Sequence, residues 1–203
     1  MIQQRFFIDG PAGRLEAAVT PSDQAPRGIA LVAHPHPLFG GTMDNKVVQT
    51  LAKTFARLGL TAFRVNFRGA GESAGEFDEG IGETADMLAL AAHARREAGD
   101  LPVLLAGFSF GAFVQTRVRR ELDAARLVLV APAVKRFDVG AVPPDTLVVH
   151  GEQDEVVPLA DALDWARPQG LPLVVVPGVG HFFHGQLPLL ARIVADGVCP
   201  WNR

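Results

Sequence analysis

Short apolar runs that alternate with amphipathic helical segments constrain the fold of this chain more than any other feature of its sequence. One run, GIALVAH (28–34), is apolar up to its final histidine, which is typical of a strand buried on both faces. Residues 44–58 then repeat apolar side chains along one helical face, with Asp44 as the expected N-cap and Gly59 as the stop. The alternation continues along the chain and predicts a mostly parallel sheet with helices on both faces.

The remaining elements of the predicted sheet follow from the same pattern. Two apolar-rich stretches near 3–9 and 14–20 flank Gly10-Pro11-Ala12-Gly13 and predict an N-terminal antiparallel hairpin. Later strands are expected near 61–67, 103–106, 126–130, 145–150 and 171–176, and helices near 80–98, 110–122, 158–166 and 185–198. We expect one α/β domain over residues 1–203. Residues 131–144 leave no room for a helical lid, so the sequence predicts an open, lidless site.

The composition excludes several classes of partner. With 48% hydrophobic and 20% charged residues and a net charge of −3, the chain is typical of a globular domain. It has no basic stretch with interleaved aromatic residues and no apolar run long enough for a membrane span, so we expect neither nucleic acid nor a membrane as partner. A single cysteine, Cys199, and an N-terminus without a long apolar core favour the cytoplasm. Either a monomer or a homodimer is compatible with the sequence.

The sequence GFSFG (107–111) stands between a predicted buried strand and a predicted helix. This is the context of a nucleophile elbow, in which a serine occupies a sharp strand-to-helix turn and projects out of the sheet. Glycines two residues before and after the serine remove Cβ atoms that would collide in so tight a bend. We therefore expect Ser109 to be the nucleophile, and the N–H of Phe110 to point toward a developing oxyanion.

A serine hydroxyl needs a base. In folds that present a serine on a nucleophile elbow, the acid and then the base follow the serine along the chain. Beyond the last predicted strand lie His181 and His184; His181 is favoured because flanking glycines let its loop turn back over the sheet edge, and His184 is interpreted as a capping or supporting residue. The loop after residue 150 offers Glu152, Asp154 and Glu155. Asp154 is favoured, because the following Val-Val-Pro leads into a helix and leaves the aspartate on the loop, where it would orient the histidine.

The loop after the first buried strand occupies the position that supplies the second oxyanion donor in this fold. Pro35 and Pro37 have no N–H, which leaves His36 and Leu38 as candidate donors. The prolines and glycines of residues 34–41 would hold the backbone rigid around that donor.

Apolar residues near these positions are candidates for a substrate pocket, although a role in the core fits each of them equally well. They are Leu38, Phe39, Phe182 and Phe183, together with Phe110. Arg68 and Lys46 are candidates for contact with an anionic substrate, with structural ion pairs as the alternative. No H-E-x-x-H, paired C-x-x-C or Walker-type loop is present, so we expect neither a metal nor an organic cofactor.

Several motifs together resemble the small bacterial α/β-hydrolases related to dienelactone hydrolase. They are HPHPLFGGTMDNK (34–46), NFRGAGES (66–73), GFSFG (107–111), GEQDEVVP (151–158) and PGVGHFFHG (177–185). The resemblance covers essentially the whole chain and implies an α/β-hydrolase fold with Ser109, Asp154 and His181 at the positions of the family triad. His36 matches the residue after H-G in the commoner H-G-x-P loop, with Pro35 in place of that glycine. Dienelactone hydrolase itself uses a cysteine nucleophile, so its specific activity is not implied.

These features predict a serine hydrolase that cleaves carboxylic esters of small to medium apolar acyl or aryl groups through an acyl-enzyme on Ser109. A thioesterase or an acyltransferase would use the same three residues. A non-catalytic binding module is a third alternative, but a pure binder has no need of a nucleophile, a base and an acid on correctly placed loops.

Overall fold

The structure, a computed structural model, describes residues 3–199 and contains one eight-stranded sheet. The strands are β1 (Gln4–Gly10), β2 (Gly13–Thr20), β3 (Gly28–Ala33), β4 (Leu60–Val65), β5 (Val103–Phe108), β6 (Arg126–Val130), β7 (Leu147–Gly151) and β8 (Leu173–Val176). The helices are α1 (Lys46–Arg57), α2 (Ile81–Ala98), α3 (Phe110–Glu121), α4 (Leu159–Ala166) and α5 (Leu187–Val198), with short 3-10 helices at Pro37–Phe39 and Arg167–Gln169.

The strand order is β1-β2-β4-β3-β5-β6-β7-β8. The hairpin of β1 and β2 is antiparallel and joins β4 in antiparallel register, and every later pair is parallel. Both central strands, β3 and β5, are buried along their whole length. That burial matches their continuous apolar sequence, because helices cover both faces of the sheet.

The two faces of the sheet carry separate apolar cores. Helices α1 and α5 pack on one face, where side chains such as Phe55 and Val194 contact strand residues such as Val32. Helices α2 and α3 pack on the other face, through residues such as Leu90 and Val114. The predicted mostly parallel sheet with helices on both faces and an N-terminal hairpin is therefore what the chain forms.

The start of α1 differs from the prediction. Its N-cap is Asn45, whose Oδ1 accepts hydrogen bonds from the N–H groups of Val47 and Val48. Asp44, the expected cap, instead receives a hydrogen bond of 2.7 Å from Arg5 of β1. The prediction of Asp44 was wrong because either residue can cap a helix, and a partner from a distant strand decides between them.

The parallel strands bring the ends of β3, β5, β6, β7 and β8 to one edge of the sheet. In open α/β sheets this carboxyl edge is where ligands bind. The segment after β6, residues 131–146, contains neither helix nor strand, as the absence of a lid requires. None of the helices in the described part of the chain is long and apolar enough to cross a membrane.

Candidate active site

Ser109 occupies the turn between β5 and α3 in a backbone conformation that is rare for a non-glycine residue, with φ 56° and ψ −115°. A hydrogen bond of 2.9 Å from its N–H to the carbonyl of Val130 on β6 holds the turn in the sheet. A Cβ on Gly107 would collide with the backbone of Gly111, and a Cβ on Gly111 would collide with the carbonyl of Ala33. The two glycines thus permit the strained turn that the GFSFG motif predicts.

Asp154 and His181 face each other across the loops that follow β7 and β8. The Nδ1 of His181 lies 2.7 Å from Asp154 Oδ2, and both side chains are buried. A carboxylate only accepts hydrogen bonds, so Nδ1 carries the proton and Nε2 is free to accept one. The pair therefore has the tautomer that a general base needs.

The other oxygen of Asp154 fixes the acid loop. Oδ1 accepts from the N–H of Val156 at 2.9 Å and from that of Val157 at 2.7 Å. Burial raises the pKa of the Asp154 carboxyl, but the hydrogen bonds from His181 and from the two backbone N–H groups outweigh burial and hold the pKa below its usual value. The carboxylate is therefore ionised at neutral pH, as an orienting acid must be.

His150, the penultimate residue of β7, is a supporting residue that the sequence pattern did not single out. Its buried Nε2 lies 2.8 Å from the carbonyl of Val157 and 3.5 Å from Asp154 Oδ2, so Nε2 carries the proton and donates into the acid loop. Its Nδ1 is buried with no hydrogen-bond partner within residues 3–199. Burial lowers the pKa of His150, and the neutral ring holds the acid loop at a second point.

The alternatives to Asp154 and His181 have other partners. Glu152 accepts from the N–H of Gly178 at 2.8 Å, and Glu155 accepts from the N–H of His181 at 3.3 Å, so both carboxylates anchor the loop that carries the histidine. His184 is exposed and packs beside Phe182, with ring centroids 5.8 Å apart. The N-cap of α5 is Gln186, so the interpretation of His184 as a cap was wrong.

A cavity of about 460 Å³ lies at the carboxyl edge of the sheet, and both Ser109 and His181 line it. Its volume lies within the range of small-molecule sites, which is roughly 300–1,000 Å³. The lining is mostly apolar and comes from the connections that follow five strands, β3, β5, β6, β7 and β8. It includes Pro35, His36, Phe39, Phe110, Ala133, Phe137, Val156, Val157 and Phe182.

Within residues 35–41 of the loop after β3, one backbone N–H has no hydrogen-bond partner among the described residues. The N–H of Leu38 is bonded to His36 Nδ1 at 3.3 Å, and the N–H groups of residues 39–41 bond to carbonyls within the loop. The N–H of His36 has no partner among the described residues, and the N–H of Phe110 is unsatisfied within α3 because it belongs to the first turn. Of the two donors that the sequence left open, this geometry favours His36 over Leu38.

A buried histidine, His34, holds the loop after β3 through hydrogen bonds on its inner side. Its Nδ1 lies 2.6 Å from the carbonyl of Pro35, and its Nε2 accepts from the N–H of Phe67 at 2.9 Å. Burial is the main reason that the pKa of His34 falls to about 4. The ring is therefore neutral at pH 7, with one nitrogen donating and the other accepting.

The five residues expected in the pocket divide into two groups. Phe39, Phe110 and Phe182 line the cavity. Leu38 and Phe183 do not: Leu38 extends into solvent from the 3-10 turn, and Phe183 is fully buried in the core beneath α5. A left-handed backbone at Phe183, with φ 53°, turns its side chain away from that of its neighbour, which no periodicity in the sequence indicates.

The cations expected to meet an anionic substrate have other roles. Arg68 forms an ion pair of 2.8 Å with the buried Asp86 of α2, and Lys46 is exposed outside the cavity lining. The cations that do line the cavity belong to the segment after β6. We call the exposed side chains that line the cavity the rim; they are Phe39, Lys135, Arg136, Val156 and Phe182.

Comparison with known proteins finds relatives in sequence and in fold. Residues 24–144 match the family described as serine aminopeptidase, S33. An uncharacterized protein of Rickettsia prowazekii is 30% identical over 207 residues, which cover 95% of this chain and 87% of that protein.

Two solved structures are similar to this one over nearly their whole length. An α/β serine hydrolase without a lid from Xanthomonas campestris is 38% identical, with a TM-score of 0.93, over 98% of this chain and 94% of that chain. An α/β serine hydrolase homologue from Coxiella burnetii is 38% identical, with a TM-score of 0.92, over 98% of this chain and 99% of that chain. These matches confirm the predicted lidless α/β-hydrolase fold.

Proposed function

Because the chain belongs to the serine aminopeptidase, S33, family and has the fold of the lidless α/β serine hydrolases, we propose that it is a carboxylesterase with Ser109 as nucleophile. The observation that carries the proposal is the 2.7 Å contact between His181 Nδ1 and buried Asp154, in a histidine that lines the same cavity as a serine on a strained turn. Such a constellation has a specific chemical use, which is to activate a hydroxyl.

In the proposed mechanism, Ser109 Oγ attacks the ester carbonyl and His181 Nε2 takes its proton. The N–H groups of Phe110 and His36 hold the negative charge of the tetrahedral oxyanion. The imidazolium, stabilised by Asp154, then gives its proton to the leaving alcohol, and an acyl-enzyme remains on Ser109. Water attacks the acyl-enzyme with the same histidine as base and releases the acid. No step needs a metal or an organic cofactor.

The lining of the cavity favours an ester over the N-terminus of a peptide, in spite of the family's name. An aminopeptidase must bind a free ammonium group, which calls for an unpaired carboxylate near the nucleophile. Among the described residues that line the cavity, Asp161 is the one acidic residue. Its Oδ1 lies 2.7 Å from Lys135 Nζ, so this carboxylate is already paired. The remaining surface is largely aromatic and aliphatic, which suits an acyl or aryl group.

A thioesterase would use the same atoms, since a thiol leaves from the same tetrahedral intermediate. Matched oxygen and sulfur esters of one acyl group separate the two functions. A kcat/KM that is higher for the sulfur ester by more than its greater intrinsic reactivity would favour the thioesterase.

The test combines a fluorophosphonate probe with p-nitrophenyl esters from acetate to laurate. We expect Ser109→Ala to abolish labelling and to lower kcat by about 10⁴-fold or more, because the covalent step is lost. The matched control is Ser22→Ala, which removes the hydroxyl of a serine in the linker before β3 and leaves the site intact. If the wild type neither labels nor cleaves any ester, the proposal is wrong.

A further inference from the structure

The rim of the cavity carries a positive charge that no described residue neutralises through an ion pair. Two cations, Lys135 and Arg136, follow each other on the segment after β6, and both line the cavity. Lys135 Nζ lies 2.7 Å from Asp161 Oδ1, and this hydrogen bond raises the pKa of the lysine. Because Asp161 also lines the cavity, these two charges offset each other and Arg136 is left as the uncompensated cation.

Arg136 has no hydrogen bond and no ion pair in the part of the chain that the structure describes. Its guanidinium carbon lies 4.8 Å from the ring centroid of Phe39 and 5.9 Å from that of Phe137. A second, shallow groove beside the guanidinium includes Glu79 and Asp138, and neither carboxylate is within ion-pair distance. The arginine is therefore positioned by aromatic contacts, while its N–H donors are left for water or for a ligand.

The guanidinium is also close to the oxyanion loop. Arg136 shares the cavity lining with His36, and the ring of His36 contacts both Phe39 and Phe137, the two rings that lie beneath the guanidinium. Burial lowers the pKa of His36, and the charge of Arg136 lowers it further. A substrate whose carbonyl is held by the His36 N–H therefore lies in the same cavity as the arginine.

From these positions we infer that Arg136 binds a carboxylate on the substrate, so that the enzyme prefers esters with a distal anionic group to their neutral counterparts. The planar guanidinium presents paired donors that match the two oxygens of a carboxylate. The aromatic and aliphatic lining accommodates the carbon skeleton between the scissile bond and that group. The inference deepens the proposed function and rests on it for the position of the scissile bond.

The test measures kcat/KM for two pairs of esters. The first pair, the mono-p-nitrophenyl ester of adipic acid and its methyl ester, places the charge on the acyl side. The second pair, 4-acetoxybenzoate and its methyl ester, places it on the leaving group. We expect the anionic member of one pair to be favoured about 10-fold at low ionic strength, which corresponds to about 1.4 kcal/mol. High salt should reduce the preference, because Arg136 is exposed.

The variant Arg136→Gln should remove the preference and its salt dependence. The matched control is Arg167→Gln, an exposed arginine that is paired with Asp164 and lies outside the cavity lining; this variant should keep the preference. If the wild type shows no preference in either pair, or if Arg136→Gln retains it, the inference is overturned while the esterase proposal stands.

Binding of monomethyl adipate, titrated into the Ser109→Ala protein with and without Arg136→Gln, tests the inference without turnover. A dissociation constant about 10-fold larger in the double variant than in Ser109→Ala supports the role of Arg136. This result would hold even if every ester tested proves to be a poor substrate. Equal binding by the two proteins overturns it. Absence of turnover with all esters contradicts the proposed function instead, so the two failures are distinguishable.

Discussion

The buried polar residues beneath the cavity and the exposed rim around it are held by different forces. Both ring nitrogens of His34 and both carboxylate oxygens of Asp154 have hydrogen-bond partners, and His181 is held through Nδ1 by Asp154 and through its backbone N–H by Glu155. The rim side chains are held by ring contacts and by one exposed ion pair, between Lys135 and Asp161. The proposed chemistry therefore rests on a buried, hydrogen-bonded network, whereas the proposed selectivity rests on exposed side chains that can change at little cost in stability.

The largest expected effect concerns the buried network. In Asp154→Asn, an amide replaces the carboxylate that accepts from His181 Nδ1, and the histidine loses the tautomer with a free Nε2. We expect kcat for p-nitrophenyl acetate to fall about 10⁴-fold. The matched control is Asp164→Asn, at an exposed position on α4, which should keep wild-type activity. A loss of less than tenfold in Asp154→Asn would remove Asp154 from the mechanism.

A second prediction concerns the pH dependence of stability. His34 has a folded-state pKa of about 4 against an ordinary value of 6.5, so between these values the unfolded chain binds the proton more readily. Neutral His34 therefore contributes about 3 kcal/mol to the free energy of unfolding. This contribution is fully present above pH ~6.5 and is lost as the pH falls toward ~4. Below its folded pKa the ring is protonated in both states.

Urea unfolding of the wild type and His34→Gln at several pH values through this window measures that contribution. The glutamine cannot take up a proton, so the free energy of unfolding should fall less steeply with decreasing pH in the variant. The matched control is His184→Gln, whose ring is solvated in the folded and the unfolded chain alike and whose replacement should leave the slope unchanged. Identical slopes in wild type and His34→Gln would mean that the ring is not buried as a neutral group.

The smallest effect belongs to the rim. Val156 donates its backbone N–H to Asp154, while its side chain is 55% exposed and lines the cavity, so one residue belongs to both regions. In Val156→Ala the backbone contact remains and two methyl groups are lost. We expect KM for medium-chain esters to rise about threefold, a smaller change for acetate, and less than about 0.5 kcal/mol of lost stability.

Val149→Ala makes the same chemical change at a fully buried position of β7 and should cost about 2 kcal/mol of stability. Thermal unfolding of both variants, together with KM across the ester series, checks the contrast. If the rim variant loses as much stability as the core variant, the distinction between the two regions fails.

Sequence reasoning predicted the elements well because each depends on local patterns. The span of every α-helix within residues 3–199 was predicted to within two residues, and the elbow at Ser109 follows from glycines two residues before and two residues after it. It failed where two neighbours compete for one role. Asn45 rather than Asp44 caps α1, and the pocket includes Phe39 and Phe182 but not Leu38 or Phe183.

The sequence by itself determined which segments become strands and in which order their loops follow along the chain. It also placed a serine, an aspartate and a histidine on those loops, at positions 109, 154 and 181. Those properties follow from periodicity and turn chemistry over a few residues. The tertiary structure alone decided that Lys135 meets Asp161, which is 26 positions away, and that Arg136 is left uncompensated at the rim. Ion pairs and cavity walls join segments that are distant along the chain, and the direction of a loop side chain depends on backbone angles that local composition leaves open.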